Sequence, residues 1–203
     1  MSTLLVLGAG GHGCVVADAA LRAGVWQGLS ATDRDAARCS GELLPGVRLS
    51  ALATTLPSAT AVHIAIGNSQ FREAEARTVG AERLAMVMHP DATLSPYAQV
   101  GAGCFLAARS VVAPRARLGA CVIVNHGAVV DHDVEVGDYS HVAPNVTLGG
   151  GARVGSRVLV GAGTAVLPGV SICDDTVIGA GSVVTETIAE PGVYAGAPAR
   201  RIR

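Results

Sequence analysis

Three histidines crowd a short stretch of the chain, in Asn125-His126-Gly127, Asp131-His132-Asp133 and Ser140-His141-Val142. An imidazole bracketed by carboxylates is oriented by them and made more basic, so His132 has the surroundings of a proton acceptor. An outward-facing histidine is otherwise most often a solvated residue. A second cluster lies near the start: Gly8-Ala9-Gly10-Gly11-His12-Gly13 fits G-x-G-x-x-G. Such a loop lets a ligand approach the backbone, and a helix opening behind it favours a phosphate. Asp33 follows Gly13 by about 20 residues, the distance at which these loops place a carboxylate on a ribose.

These groups need elements to position them. Stepping by six from Met88 through Leu94, Val100, Leu106 and onward to Ile178 and Val184 meets an aliphatic residue every time. Four places after each stands a small or β-branched residue, from Ala92 and Ala98 to Thr176 and Ser182. One large and one small inward residue per hexad fill a narrow triangular coil, and Gly, Asn and Asp tolerate its corners. The expected fold is a left-handed parallel β-helix, each strand stacked on the same strand one turn away. About 102 residues then make nearly six turns, roughly 27 Å tall. No insertion breaks the register. None of the three histidines falls at an inward position, so within one chain they point in different directions and converge only across a subunit interface.

Ahead of the repeat, residues 3–7 read as a buried strand and 14–23 as a helix closed by Gly24. A second strand ends near Asp33, a third covers 61–66, and 69–80 reads as an amphipathic helix. The result is an α/β Rossmann-like unit over 1–85 before a β-helix over 86–203. About 80 residues are too few for a full dinucleotide domain, so a mononucleotide or nucleotide sugar fits better than NAD.

Composition narrows the classes. Half of the 203 residues are hydrophobic but only 3% aromatic, and net charge is −1, which gives no field toward nucleic acid or an anionic membrane. All 15 basic residues are arginine, which excludes a catalytic lysine. No apolar run is long enough for a membrane span. The start lacks the basic region of a signal peptide, and five cysteines without a CxxC suit a reducing cytoplasm.

Taken together, the glycine loop, Ala65-Ile66-Gly67-Asn68, His89-Pro90, Asp131-His132-Asp133, Ser140-His141-Val142 and the closing Gly196-Ala197-Pro198-Ala199-Arg200 resemble the PglD/NeuD-type acyltransferases of the hexapeptide-repeat superfamily. The resemblance runs end to end. It implies a homotrimer using acetyl-CoA to acetylate a sugar, with active sites between subunits. By that resemblance His132 is the general base, with Asp133, where relatives often carry Glu, beside it. Gly150 is the backbone donor to the oxyanion. His141, Ala162 and Ala180 contact acetyl-CoA. Gly10, Gly11, His12, Asp33, Gly67 and Asn68 match the nucleotide-sugar pocket. The histidine spacing, six then nine, differs from that of the zinc-holding trimeric β-helices, so no metal is expected. Arg153, Arg157 and the Arg200-Arg201-Ile202-Arg203 tail read as solvated, with a salt bridge to the CoA phosphates as the alternative. The leading expectation is an N-acetyltransferase acting on a nucleotide-linked 4-amino sugar. An O-acetyltransferase of sialic acid and a non-catalytic nucleotide-sugar-binding β-helix stand as alternatives.

Overall fold

The computed structural model describes residues 3–203. The first unit is a five-stranded sheet. Strand β1 (Thr3–Leu7) leads into helix α1 (Gly11–Ala23), then β2 (Gly28–Thr32), β3 (Glu42–Leu44), β4 (Val47–Leu49), the short helix α2 (Leu52–Thr55), β5 (Ala61–Ile64) and helix α3 (Ser69–Val79). The order across the sheet is β3-β4-β2-β1-β5, parallel except for the β3–β4 hairpin. Strand β1, between β2 and β5, is buried from Leu4 to Leu7, as an unbroken aliphatic run on a two-sided sheet requires. The hairpin and α2 were not expected from the sequence. Helix α1 begins three residues earlier than its pattern suggested, so His12 sits in its first turn. Strand β5 ends at Ile64 rather than 66.

From β6 (Val87–Met88) onward the chain winds as the hexads require. Two-residue strands recur every six residues and pair in parallel with the strand 18 residues away, as in Val111↔Val129↔Thr147. Three sheets result. The first face has eight strands, including β6, Phe105–Leu106, Ile123–Val124, His141–Val142 and Leu159–Val160. The second has six, from Thr93–Leu94 to Val183–Val184, and the third has five, from Gln99–Val100 to Ser171–Ile172. Every hexad aliphatic from Leu106 to Val184 and every small partner from Cys104 to Ser182 is buried. The buried hydroxyls find carbonyls; Ser140, for example, donates to Gly155 at 2.6 Å.

The first unit packs on the lower first face. Phe105 and Ile123 join its core. Arg72 of α3, almost fully buried, crosses the join: it donates to the Ile66, Gly67 and Cys121 carbonyls at 2.7–2.9 Å and also to Tyr139. No helix among the described residues is long and apolar enough to cross a membrane.

Candidate functional site

His132 stands at the corner between the second and third faces, in the turn linking Val129–Val130 to Glu135–Val136. Its neighbour Asp133 adopts φ 61°, the left-handed corner conformation that Asp tolerates better than most residues. That turn brings a carboxylate oxygen of Asp133 to 2.8 Å from His132 Nδ1. One coil below, Arg115 occupies the same corner position and holds Asp133 with both arms, at 2.6 and 2.7 Å. Arg115 first, and His132 second, keep the Asp133 carboxyl well below the usual carboxylate range. The ionised Asp133 accepts a hydrogen bond from His132 Nδ1–H, which leaves the lone pair on Nε2. Arg115 was not singled out in the sequence, although its offset of 18 from Asp133 is one full turn of the coil.

One coil above His132 lies Gly150. A Cβ there would stand 2.6 Å from both Cε1 and Nε2 of the imidazole, so the ring rests directly on this glycine. The corner column runs Pro96, Pro114, His132, Gly150, Pro168. Proline is tolerated in it because the position needs no backbone N–H for the coil. Gly150 does carry one, and that N–H has no partner among the described residues. A proton acceptor and an unspent amide donor therefore sit together, the pair that acyl transfer through a tetrahedral intermediate requires. Ala162 and Ala180 occupy the corner between the first and second faces, and their N–H groups are likewise unspent.

The other sequence candidates gather around a cavity of about 580 Å³ in the first unit, lined by Gly10, Gly11, His12, Asp33 and Gly67 among others. It opens at the C-terminal ends of β1, β2 and β5, where the strand order reverses and α/β sheets take ligands. The close approach of Gly8 to the Ala65 carbonyl, 2.7 Å from where a Cβ would be, requires glycine. Gly11, by contrast, faces open space. Helix α1 starts without a side-chain cap and without an acidic residue in its first turn, so its N-terminus is open to an anion. Asp33 accepts from the backbone N–H of Ala9 at 2.8 Å and of Asp35 at 2.9 Å, bracing the glycine loop as well as lining the cavity. Asn68 caps α3 through Phe71 N–H and is not among the lining residues.

His12 packs its ring edge on Phe105, 5.4 Å between centroids, and lies 6.3 Å from His141. Asn125 Nδ2 donates to His141 Nε2 at 3.1 Å. Burial above all pushes His12 down to about 3 and His141 down to about 4, so both are neutral imidazoles at neutral pH. His12 Nε2 is buried without a partner among the described residues. His141 thus lies beside His12 on the first face, outside the residues that line the cavity, while His132 stands on another side of the prism. Among the described residues no group of three His, Cys, Asp or Glu side chains is arranged to hold a metal.

Comparison with known proteins follows the same division. The PglD N-terminal domain family matches residues 3–79, and the bacterial transferase hexapeptide (six repeats) matches 115–150 and 151–186. The acetyltransferase domain of PglB from Neisseria gonorrhoeae FA1090 superposes with a TM-score of 0.92 at 30% identity, covering 100% of both chains. PerB from Caulobacter crescentus, solved with CoA and GDP-perosamine, gives 0.90 at 30% identity over 100% of this chain and 98% of that one. A serine acetyltransferase from Mycobacterium tuberculosis is 37% identical over 99 residues, 44% of this chain and 43% of that protein. The chain thus spans less than half the length of that curated relative.

Proposed function

The chain belongs to the PglD-type sugar acetyltransferases of the hexapeptide-repeat, left-handed β-helix superfamily, and from that premise we propose that it acetylates the 4-amino group of a nucleotide-linked amino-dideoxy sugar with acetyl-CoA. The observation that carries this reading is the His132 imidazole, held by Asp133, resting on Gly150 with its unspent N–H. In the proposed step the sugar amine attacks the thioester carbon. A C–N bond forms, and His132 Nε2 takes the proton from nitrogen. The Gly150 N–H stabilises the oxyanion of the tetrahedral intermediate. The C–S bond then breaks, and the proton held on His132 Nε2 passes to the departing sulfur, so that CoA leaves as the thiol and the imidazole is neutral again. Transfer is direct, and no metal is needed because the thioester is already activated. PerB, similar over the whole chain, was solved with CoA and a nucleotide-linked sugar, which supports the same substrate class here.

In this reading the units divide the work near residue 85: the first binds the sugar nucleotide and the β-helix binds CoA. The protein acts as a trimer. The outward residues of the second face are Thr93, Val111, Val129, Thr147, Ala165 and Val183, none of them charged, whereas the third face carries Arg117, Glu135 and Arg153. Three chains that turn the uncharged face toward a common axis set each chain's His132 corner beside the next chain's Ala162 and Ala180 corner, which flanks the face bearing the sugar-nucleotide unit. Each site is then shared by two chains.

The test is free-thiol release from acetyl-CoA with UDP- or GDP-linked 4-amino-4,6-dideoxy sugars. Turnover with at least one is expected, and His132→Ala lowers kcat by about 10²-fold or more. Turnover with sialic acid but with no amino sugar would replace this reading by O-acetylation. Unchanged turnover in His132→Ala would remove His132 from the mechanism.

A further inference from the structure

The rim of the cavity in the first unit carries two features that the fold does not need. Phe71 is 67% exposed, although the chain has one other phenylalanine, Phe105, and buries it completely. The Phe71 ring lines the cavity and belongs to no core cluster. It sits in the first turn of α3, fixed there by Asn68, whose side chain accepts from its backbone N–H at 3.0 Å. Arg34, just beyond β2, reaches across to α3 and grips Glu75, Nε to Oε1 at 2.7 Å and Nη2 to Oε2 at 2.8 Å. Glu75 is nearly buried, with 12% of its side chain exposed, while Arg34 stays 56% exposed and its Nη1 makes no hydrogen bond among the described residues. Phe71 and Glu75 are four residues apart on one helix, so they share a face and the held guanidinium lies about one turn from the ring.

We propose that Phe71, and Arg34 positioned by Glu75, form the clamp that reads the nucleotide's base. The inference rests on the nucleotide-sugar reading above and adds its specificity determinants. A flat base stacks on Phe71 whatever its identity, because every base has a π-face. Arg34 supplies identity. A guanidinium only donates, so Nη1 set against the 6-position of a purine or the 4-position of a pyrimidine favours guanine and uracil, which carry a carbonyl there, over adenine and cytosine, which carry an amino group. The diphosphate lies some distance away, on the open N-terminus of α1, and does not depend on the clamp.

The test is calorimetric titration of the full-length protein with GDP, UDP, ADP, CDP and inorganic pyrophosphate. GDP or UDP should bind most tightly. Phe71→Ala should weaken that binding about tenfold or more and leave pyrophosphate unchanged. Arg34→Met should erase the preference for GDP and UDP over ADP and CDP. Phe71 is largely exposed, so its variant should melt like the wild type. Arg34→Met strips the nearly buried Glu75 of its partner, so unchanged pyrophosphate binding is the sign that its pocket is intact. Unchanged binding of GDP and UDP by Phe71→Ala overturns the clamp while leaving the acetyltransferase reading intact. A wild type that binds no nucleoside diphosphate overturns the clamp and the nucleotide-sugar reading together.

Discussion

Replacing Gly150 with alanine separates a catalytic contact from a folding one. The added Cβ would lie 2.6 Å from Cε1 and Nε2 of His132. An ordinary carbon contact needs about 3.5 Å or more, so the ring must move by about 0.9 Å. The half-exposed imidazole can swing away at little cost to the coil, and φ at Gly150 is not in the left-handed region, so alanine itself is not strained. The swing stretches the 2.8 Å bond to Asp133 and moves Nε2 off the attacking amine. A misplacement near 1 Å of a positioned group costs about 10²-fold in rate. Gly150→Ala should therefore lose about 10²-fold in kcat, read by thiol release, with Tm within about 2 °C of wild type. Gly151→Ala is the control. It has φ 69° and no atom within 4 Å of its Cβ position, so it should destabilise by about 1–2 kcal/mol and keep its kcat. Wild-type turnover in Gly150→Ala would refute the placement of the imidazole over this glycine.

Acid should destabilise the fold through its buried histidines. His12, His63 and His141 sit at about 3, 4 and 4, all lowered chiefly by burial, against 6.5 when unfolded. Between pH 6.5 and about 4 the unfolded chain holds more protons, so stability is full above pH 6.5 and falls as pH drops through that window. Thermal melts should show Tm falling from pH 7 to 4 in wild type and less steeply in His63→Phe; equal slopes would exclude His63 from the effect. Arg72→Met removes donors from the Ile66, Gly67, Cys121 and Tyr139 carbonyls at the join of the two units. It should cost about 3 kcal/mol, lowering Tm by roughly 6–12 °C in calorimetry; an unchanged Tm would mean that the Arg72 hydrogen bonds across the join are dispensable.

The β-helix was legible because its core has one dominant constraint, a large and a small inward residue in every hexad, and the chain meets it without interruption from Leu106 to Val184. The bracketing of His132 by carboxylates was legible for a related reason: Asp133 is its chain neighbour, and the corner turn alone brings them together. Contacts between coils were harder to see. Arg115 and Asp133 are 18 residues apart, as are His132 and Gly150, and they meet only because strands stack in register. Contacts between the two units had no periodicity behind them. Nothing in the sequence sets Arg72 against Tyr139, or His12 against His141, because both depend on how the first unit lies on the coil. The β3–β4 hairpin escaped notice because its three-residue strands are too short to show a pattern.

In the proposed trimer each active site draws its base from one chain and its sugar-nucleotide pocket from the next. The most direct measurement co-expresses His132→Ala and Gly11→Asp chains under different tags and isolates trimers carrying both. Gly11→Asp places a carboxylate at the open α1 N-terminus, against the diphosphate, at a position where a Cβ meets no atom. Each parent alone should be nearly inactive. In a closed ring of three, either mixture leaves one site with both parts intact, so the mixed trimer should recover about a third of wild-type turnover. Mixed trimers as inactive as their parents would place the whole site within a single chain and rule out the shared site.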